Sequence, residues 1–214
     1  MSRPTAGNLA SLIAKLQEDY GEDAIKPARE RKVQKLPTQI PSLDLALNGG
    51  APLGRIYHLY GPEGAGKTTL AIYWIASILR QEEGNAAWIN WERSFDPELA
   101  ESYGLDIDRL YIIDAPSAED GFDIIYALAK TGEVRAIGVD SITAMVPDAE
   151  KEDESLKQER PALQARVLSR ALRKLTGALD DNRCSLFVIS QIRENVGSYA
   201  GGTTVPGGRA IRHY

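Results

Sequence analysis

The chain has 214 residues, of which 43% are hydrophobic and 26% charged, enough apolar material for one domain of ordinary globular composition. A net charge of −5 argues against a uniformly basic nucleic-acid binder, and a single cysteine, Cys184, excludes an internal disulfide and suits a reducing cytosol. No run of about 20 apolar residues and no signal-peptide apolar region occurs, so the expectation is a cytoplasmic protein with no membrane contact.

Asn8 is placed to cap a first helix, in which Leu9, Leu12, Ile13 and Leu16 recur at helical spacing up to Gly21. Residues 22–41 are charged and contain Pro27, Pro37 and Pro41, which reads as a linker or extended arm. Ser42–Leu47 forms a short helix closed by Asn48-Gly49-Gly50. From Arg55 onward, strand-like apolar runs at 55–60, 86–90, 110–113, 135–140 and 184–190 alternate with helical segments near 67–80, 97–103, 118–130 and 162–180. Strands alternating with helices predict an α/β fold, a mostly parallel sheet with helices on both faces, preceded by the N-terminal helix. The acidic stretch Asp148–Glu154 reads as a loop.

Gly61-Pro62-Glu63-Gly64-Ala65-Gly66-Lys67-Thr68 fits the phosphate-binding pattern G-x-x-x-x-G-K-[ST], with a strand pattern before it and a helix pattern after it. The glycines let backbone N–H groups approach an anion, and the helix N-terminus adds partial positive charge at the same place. Lys67 is placed to reach the terminal phosphates of ATP, and the Thr68 hydroxyl to ligate Mg²⁺. Asp140, at the end of the run Arg135–Val139, offers the second metal-side oxygen at the sheet edge where ligands of open α/β folds bind. Glu92 ends another strand-like run and is the candidate for orienting the attacking water.

Taken together, these blocks resemble the RecA recombinase family. Ser42–Leu47 followed by Gly54-Arg55-Ile56 looks like the approach to that family's phosphate loop. Gly61-Pro62-Glu63 with Gly66-Lys67-Thr68-Thr69-Leu70 is close to its own form of the motif. Glu92 with Phe95-Asp96-Pro97 stands in the place of the catalytic glutamate. Asp140-Ser141 and Ser190-Gln191-Ile192-Arg193 continue the series. The resemblance implies a RecA-like ATPase core over 42–214, an N-terminal helix and linker over 1–41 for subunit contact, and ATP with Mg²⁺ as cofactors. Nucleotide contacts carry over to residues 61–68, Thr69, Asp96 and Asp140. Catalytic roles carry over to Lys67, Glu92 and Gln191, with Gln191 reporting the γ-phosphate. It further implies self-association into a helical filament on single-stranded DNA, pairing with double-stranded DNA, and strand exchange driven through a DNA-dependent ATPase. The rival reading is a nucleotide-binding partner of a recombinase that does not itself exchange strands.

Charge is unevenly spread. Residues 1–159 carry 16 Lys/Arg against 27 Asp/Glu, whereas residues 160–214 carry 9 against 3. Arg166, Arg170, Arg173 and Lys174 recur at helical spacing opposite Leu168, Leu172, Leu175 and Leu179, giving one cationic and one apolar stripe. Guanidinium groups suit phosphate oxygens, so Arg166, Arg170 and Arg173 are candidate DNA contacts. By resemblance, DNA-binding loops span roughly 148–162 and 192–208. Arg193, Val196 and Arg209 add to the contacts, with Val196 as an apolar wedge between bases. Several positions depart from the family pattern. The first loop is acidic and carries Pro161 in place of an apolar wedge, Glu194 places a carboxylate in the second loop, and Leu99 stands where an aromatic residue stacks on adenine. Measured against that pattern, the chain ends at Tyr214, before the C-terminal end of the core.

Overall fold

A computed structural model describes residues 9–30, 33–151, 161–194 and 203–204. The chain divides into two compact units, residues 1–34 and 35–214. In the first, α1 (Leu9–Tyr20) has no buried residue, and Gly21 N–H closes it onto the Gln17 carbonyl. Gln17 Nε2 also donates to the Ile25 carbonyl at 2.8 Å, which folds the following turn back on the helix.

The second unit starts inside the stretch expected to be linker. Here β1 (Lys35–Leu36) pairs antiparallel with β2 (Ala51–Pro52), across α2 (Pro41–Ala46). Side chains hold this segment in place. Asp44 accepts from Thr38 N–H at 2.6 Å, and Ser77 and Gln81 both donate to the Pro37 carbonyl at 3.0 Å. Within 22–41 the structure has two 3₁₀ turns, Glu22–Ala24 and Ala28–Glu30, and strand β1; prolines and charges carry no information about such long-range partners.

Five strands make the main sheet: β3 (Ile56–Gly61), β4 (Asn85–Asn90), β5 (Leu110–Ile113), β6 (Val134–Asp140) and β7 (Ser185–Gln191). Their order is β3-β7-β6-β4-β5, and every neighbouring pair is parallel. The apolar runs are continuous rather than alternating because helices cover both faces. On one face, α3 (Lys67–Gln81) and α4 (Pro97–Ser102) enclose a core built around Ile72, Trp74, Ile75, Trp88 and Phe187. On the other, α5 (Ala118–Lys130) and α7 (Pro161–Asp181) close over Ile89, Ile137, Val139 and Val188. The expected apolar stripe of α7 is this contact: Leu168, Leu172, Leu175 and Leu179 are fully buried. Among the described residues, no helix is long and apolar enough to cross a membrane.

Local signals explain the helix starts. Ser117 accepts from Asp120 N–H at 3.1 Å and begins α5, whose acidic first turn and terminal Lys130 complement the helix dipole. Asp96 caps α4 through Leu99 N–H at 3.1 Å. The acidic stretch is a correction, since Asp148–Lys151 is a short helix, α6, and not loop. Glu119 accepts the Asp148 N–H at 3.0 Å, and the Pro147 carbonyl accepts from Glu150 and Lys151. These partners offset the local preference of the segment for irregular backbone. Residues 152–160 lie outside the described residues.

Candidate nucleotide site

The C-terminal ends of β3, β4, β6 and β7 share one edge of the sheet, and the sequence-predicted site residues stand there. Residues 61–68 join β3 to α3. Gly64 and Gly66 have φ of 71° and 79°, a backbone conformation that favours glycine at both. Gly61 has no such requirement; it closes β3 in register with Gln191. Gly66 caps α3 without a side-chain bond, and the first helical turn contains no acid. That leaves the N–H groups and the positive end of a 15-residue helix for an anion. Lys67 Nζ donates to the Pro62 carbonyl at 2.8 Å, folding back over the loop. Pro62, Glu63 and Ala65 are exposed on the loop, and Thr69 is half-buried in the first turn of α3.

Asp140, 3% exposed, accepts from Thr68 Oγ1 through Oδ2 at 2.7 Å. Burial pushes its carboxyl up to about 6; the Thr68 bond opposes this, the Glu92 charge adds to it and Lys67 opposes it. A buried carboxylate facing another negative charge is relieved by a cation. The donors offered are a carboxylate and a hydroxyl, both hard oxygens of the kind Mg²⁺ takes together with phosphate oxygens. The residues present therefore fit the metal that the phosphate loop implies.

Glu92 follows the end of β4, its N–H bonded to the Asp140 carbonyl at 3.0 Å. Gln191 ends β7, and its Nε2 approaches Glu92 Oε1 at 3.5 Å, a long contact between two half-buried side chains. The structure thus brings Lys67, Thr68, Glu92, Asp140 and Gln191 to one edge. Asp96 spends one carboxylate oxygen on capping α4, beside Leu99, which is 46% exposed. Sequence reading missed Thr143, whose Oγ1 accepts from Gln191 N–H at 3.3 Å. Its hydroxyl is no signal by itself; only the register of β6 against β7 gives it a partner.

The cationic stripe on α7 is less uniform than its spacing suggests. Arg166, Arg170 and Arg173 are exposed opposite the buried leucines. Lys174, about 100° further round the helix than Arg173, turns onto α5 instead. There its Nζ lies 3.2 Å from Asp123 Oδ1 and 4.3 Å from the centre of the Tyr126 ring. Arg170 and Lys174 both line a cavity of about 230 Å³ between α5 and α7, with Phe122, Asp123 and Tyr126. Arg193 contributes its backbone to a two-residue strand, β8 (Arg193–Glu194), paired with β9 (Thr203–Thr204). Val196 and Arg209 lie outside the described residues, as does most of both expected DNA-binding loops.

Comparison with known proteins gives the family of the chain. The family profile described as the RecA N-terminal domain matches residues 7–214. The chain is similar to Protein RecA of Staphylococcus carnosus (strain TM300), 41% identical over 211 residues that cover 96% of this chain and 59% of that protein. Protein RecA of Mycoplasmopsis pulmonis (strain UAB CTIP) is 40% identical, covering 96% of this chain and 62% of the relative. For Protein RecA of Clostridium novyi (strain NT) the values are 39%, 96% and 60%. The chain thus spans about three-fifths of the length of these relatives.

Proposed function

Because the chain belongs to the RecA family, we propose that it carries the ATP site of a DNA-dependent ATPase acting as a recombinase. In this reading it binds single-stranded DNA as a filament, pairs it with homologous double-stranded DNA and exchanges strands. The N-terminal helix serves contact between subunits. The single observation that carries the reading is the convergence at one sheet edge of Lys67, the Thr68–Asp140 bond of 2.7 Å, Glu92 and Gln191.

Each residue has a physical role in ATP turnover. The backbone of residues 61–66 and the N-terminus of α3 hold the phosphates, and Thr69 follows them in the first turn. Lys67 exchanges its bond to the Pro62 carbonyl for the terminal phosphate oxygens. Thr68 and Asp140 would hold Mg²⁺ with their hydroxyl and carboxylate oxygens. The metal, when bound, neutralises charge on the phosphate oxygens. Glu92 orients the attacking water and takes up its proton. Gln191 gives up its 3.5 Å contact with Glu92 and donates its amide to the γ-phosphate when that group is present. Asp96 lies beside the nucleotide at the start of α4. Arg166, Arg170 and Arg173, joined by Arg193, Val196 and Arg209, contact DNA, with the arginines on backbone phosphates and little sequence preference.

The test combines nucleotide binding and turnover. Lys67→Ala is expected to abolish tight binding of Mg²⁺·ATP in an equilibrium filter assay, and unchanged affinity would remove the site assignment. The unaltered chain is expected to hydrolyse ATP faster with single-stranded DNA than without it. Nucleotide binding with no DNA-stimulated turnover would favour the rival reading, a nucleotide-binding partner of a recombinase.

A further inference from the structure

The end of β7 has an unusual support. Gln191 and Ile192 leave the strand with their N–H groups pointing to opposite sides, as alternation requires. Ile192 N–H donates to the Gly61 carbonyl of β3 at 3.2 Å. Gln191 N–H points to the β6 side, where the regular β6–β7 ladder has already ended at Val139 opposite Val188. Beyond that point the chain of β6 turns. Ala144 N–H closes the turn onto the Ser141 carbonyl at 3.0 Å, and Ile142 N–H donates back to the Ile189 carbonyl at 3.1 Å. Thr143, in the middle of this turn, places Oγ1 3.3 Å from Gln191 N. A side-chain hydroxyl stands where the next ladder carbonyl would be.

We infer that Thr143 is a positioning residue for Gln191, its hydroxyl fixing the backbone from which the Gln191 amide faces Glu92. The inference rests on the proposed role of Gln191 at the γ-phosphate. Thr143 sits three residues after Asp140, so one turn ties the metal-side carboxylate to the residue that faces Glu92. An unsupported Gln191 N–H would allow the last residue of β7 to fray, because a strand end held on one side only opens locally at little cost. The Gln191 amide would then sample positions away from Glu92, and its contribution to telling ATP from ADP would fall. The phosphate loop, held by β3 and α3, would be unaffected.

Thr143→Val keeps the shape of the side chain and removes the acceptor, and Thr143→Ser restores the acceptor. The readouts are amide hydrogen exchange of the 186–194 segment and the affinity ratio of Mg²⁺·ATPγS to Mg²⁺·ADP, measured with the full chain. Thr143→Val should speed exchange at Gln191 by roughly 3- to 10-fold, the range set by one neutral hydrogen bond. It should also lower the ATPγS-to-ADP ratio by a similar factor while ADP affinity changes less than about twofold. Thr143→Ser should return both readouts toward the parent values, which a purely packing role for the γ-methyl would not do. Unchanged exchange together with an unchanged ratio in Thr143→Val overturns the inference. Gln191→Ala separates the two claims: if that variant keeps the parent ratio, the γ-phosphate role of Gln191 falls, whatever Thr143→Val does to exchange.

Discussion

Asp140→Asn is expected to stabilise the ligand-free protein and to remove its response to Mg²⁺·ATP. Burial raises the Asp140 carboxyl from 3.8 to about 6, so the folded state disfavours its charge. Above pH ~7 the group is ionised in both states, and the fold bears the full difference, on the order of 3 kcal/mol. As pH falls through about 6, the folded protein takes up a proton before the unfolded chain does, and stability rises until about pH 4. Neutralising the group by mutation removes this dependence, and an amide oxygen at the same place still accepts from Thr68. Urea unfolding of parent and variant, followed by tryptophan fluorescence without metal or nucleotide, measures the difference. The variant should lead by on the order of 2–3 kcal/mol at pH ~8, and the lead should close between about pH 6 and 4. Saturating Mg²⁺·ATP should then stabilise only the parent, by about 2.7 kcal/mol at 100 times its Kd. A variant less stable than the parent at pH ~8, or a lead independent of pH, refutes the reasoning that this carboxylate is held charged against its surroundings.

Three further outcomes are expected. Glu92→Gln should retain ATP binding and lose at least about 10²-fold in hydrolysis, the scale of general-base loss; turnover at the parent rate transfers the role elsewhere. Arg166→Ala with Arg173→Ala should flatten the log–log salt dependence of single-stranded DNA binding by about 1.4, whereas Lys174→Ala, whose ammonium is engaged by Asp123 and Tyr126, should leave the slope unchanged. Equal effects of the two sets would mean the surface acts as a diffuse cationic face. Gly138→Ala should destabilise the fold by roughly 1–3 kcal/mol or more in urea unfolding, because a Cβ there would come within 2.2 Å of the Trp88 ring; an unchanged midpoint would show that Trp88 can move aside.

The sheet and its helices were legible because a strand buried on both faces and a helix with one apolar stripe leave different periods in the sequence. The run 110–113 is β5, and 118–130 is α5, with no change of boundary. The loop 61–68 was legible as a tight strand-to-helix turn for another reason: Gly64 and Gly66 stand at left-handed φ, which favours glycine. Residues that act through partners distant in the chain were not legible. Thr143 needs β7 beside it, Gly138 needs Trp88 on the neighbouring strand, and Lys35 is part of a ladder only because Pro52 lies opposite. On α7, charge spacing does not disclose partners: Lys174 is exposed with the arginines, but its ammonium lies by Asp123 and Tyr126 of α5. Spacing fixes an angle round a helix axis and not what stands there.

The position of the phosphate loop is also governed from the far end of its helix. Arg109, on the 3₁₀ turn Ile107–Arg109 that leads into β5, directs its guanidinium at the carbonyls where α3 terminates. It donates to Leu79 O at 2.8 Å, to Glu82 O at 3.0 Å and to Gly84 O at 2.7 Å. The Leu79 and Glu82 carbonyls lie at the negative end of the helix dipole, so the cation is well matched to them, and the Gly84 carbonyl ties it to the connection into β4. α3 is then a rod about 22 Å long, clamped at its rear to the outermost strand of the sheet and tipped at its front by Lys67 and Thr68. These bonds oppose recoil of the helix along its axis when charge changes at the tip. Under the ATPase function proposed above, movement on turnover falls to parts outside the clamp, Lys67 leaving the Pro62 carbonyl and Gln191 parting from Glu92.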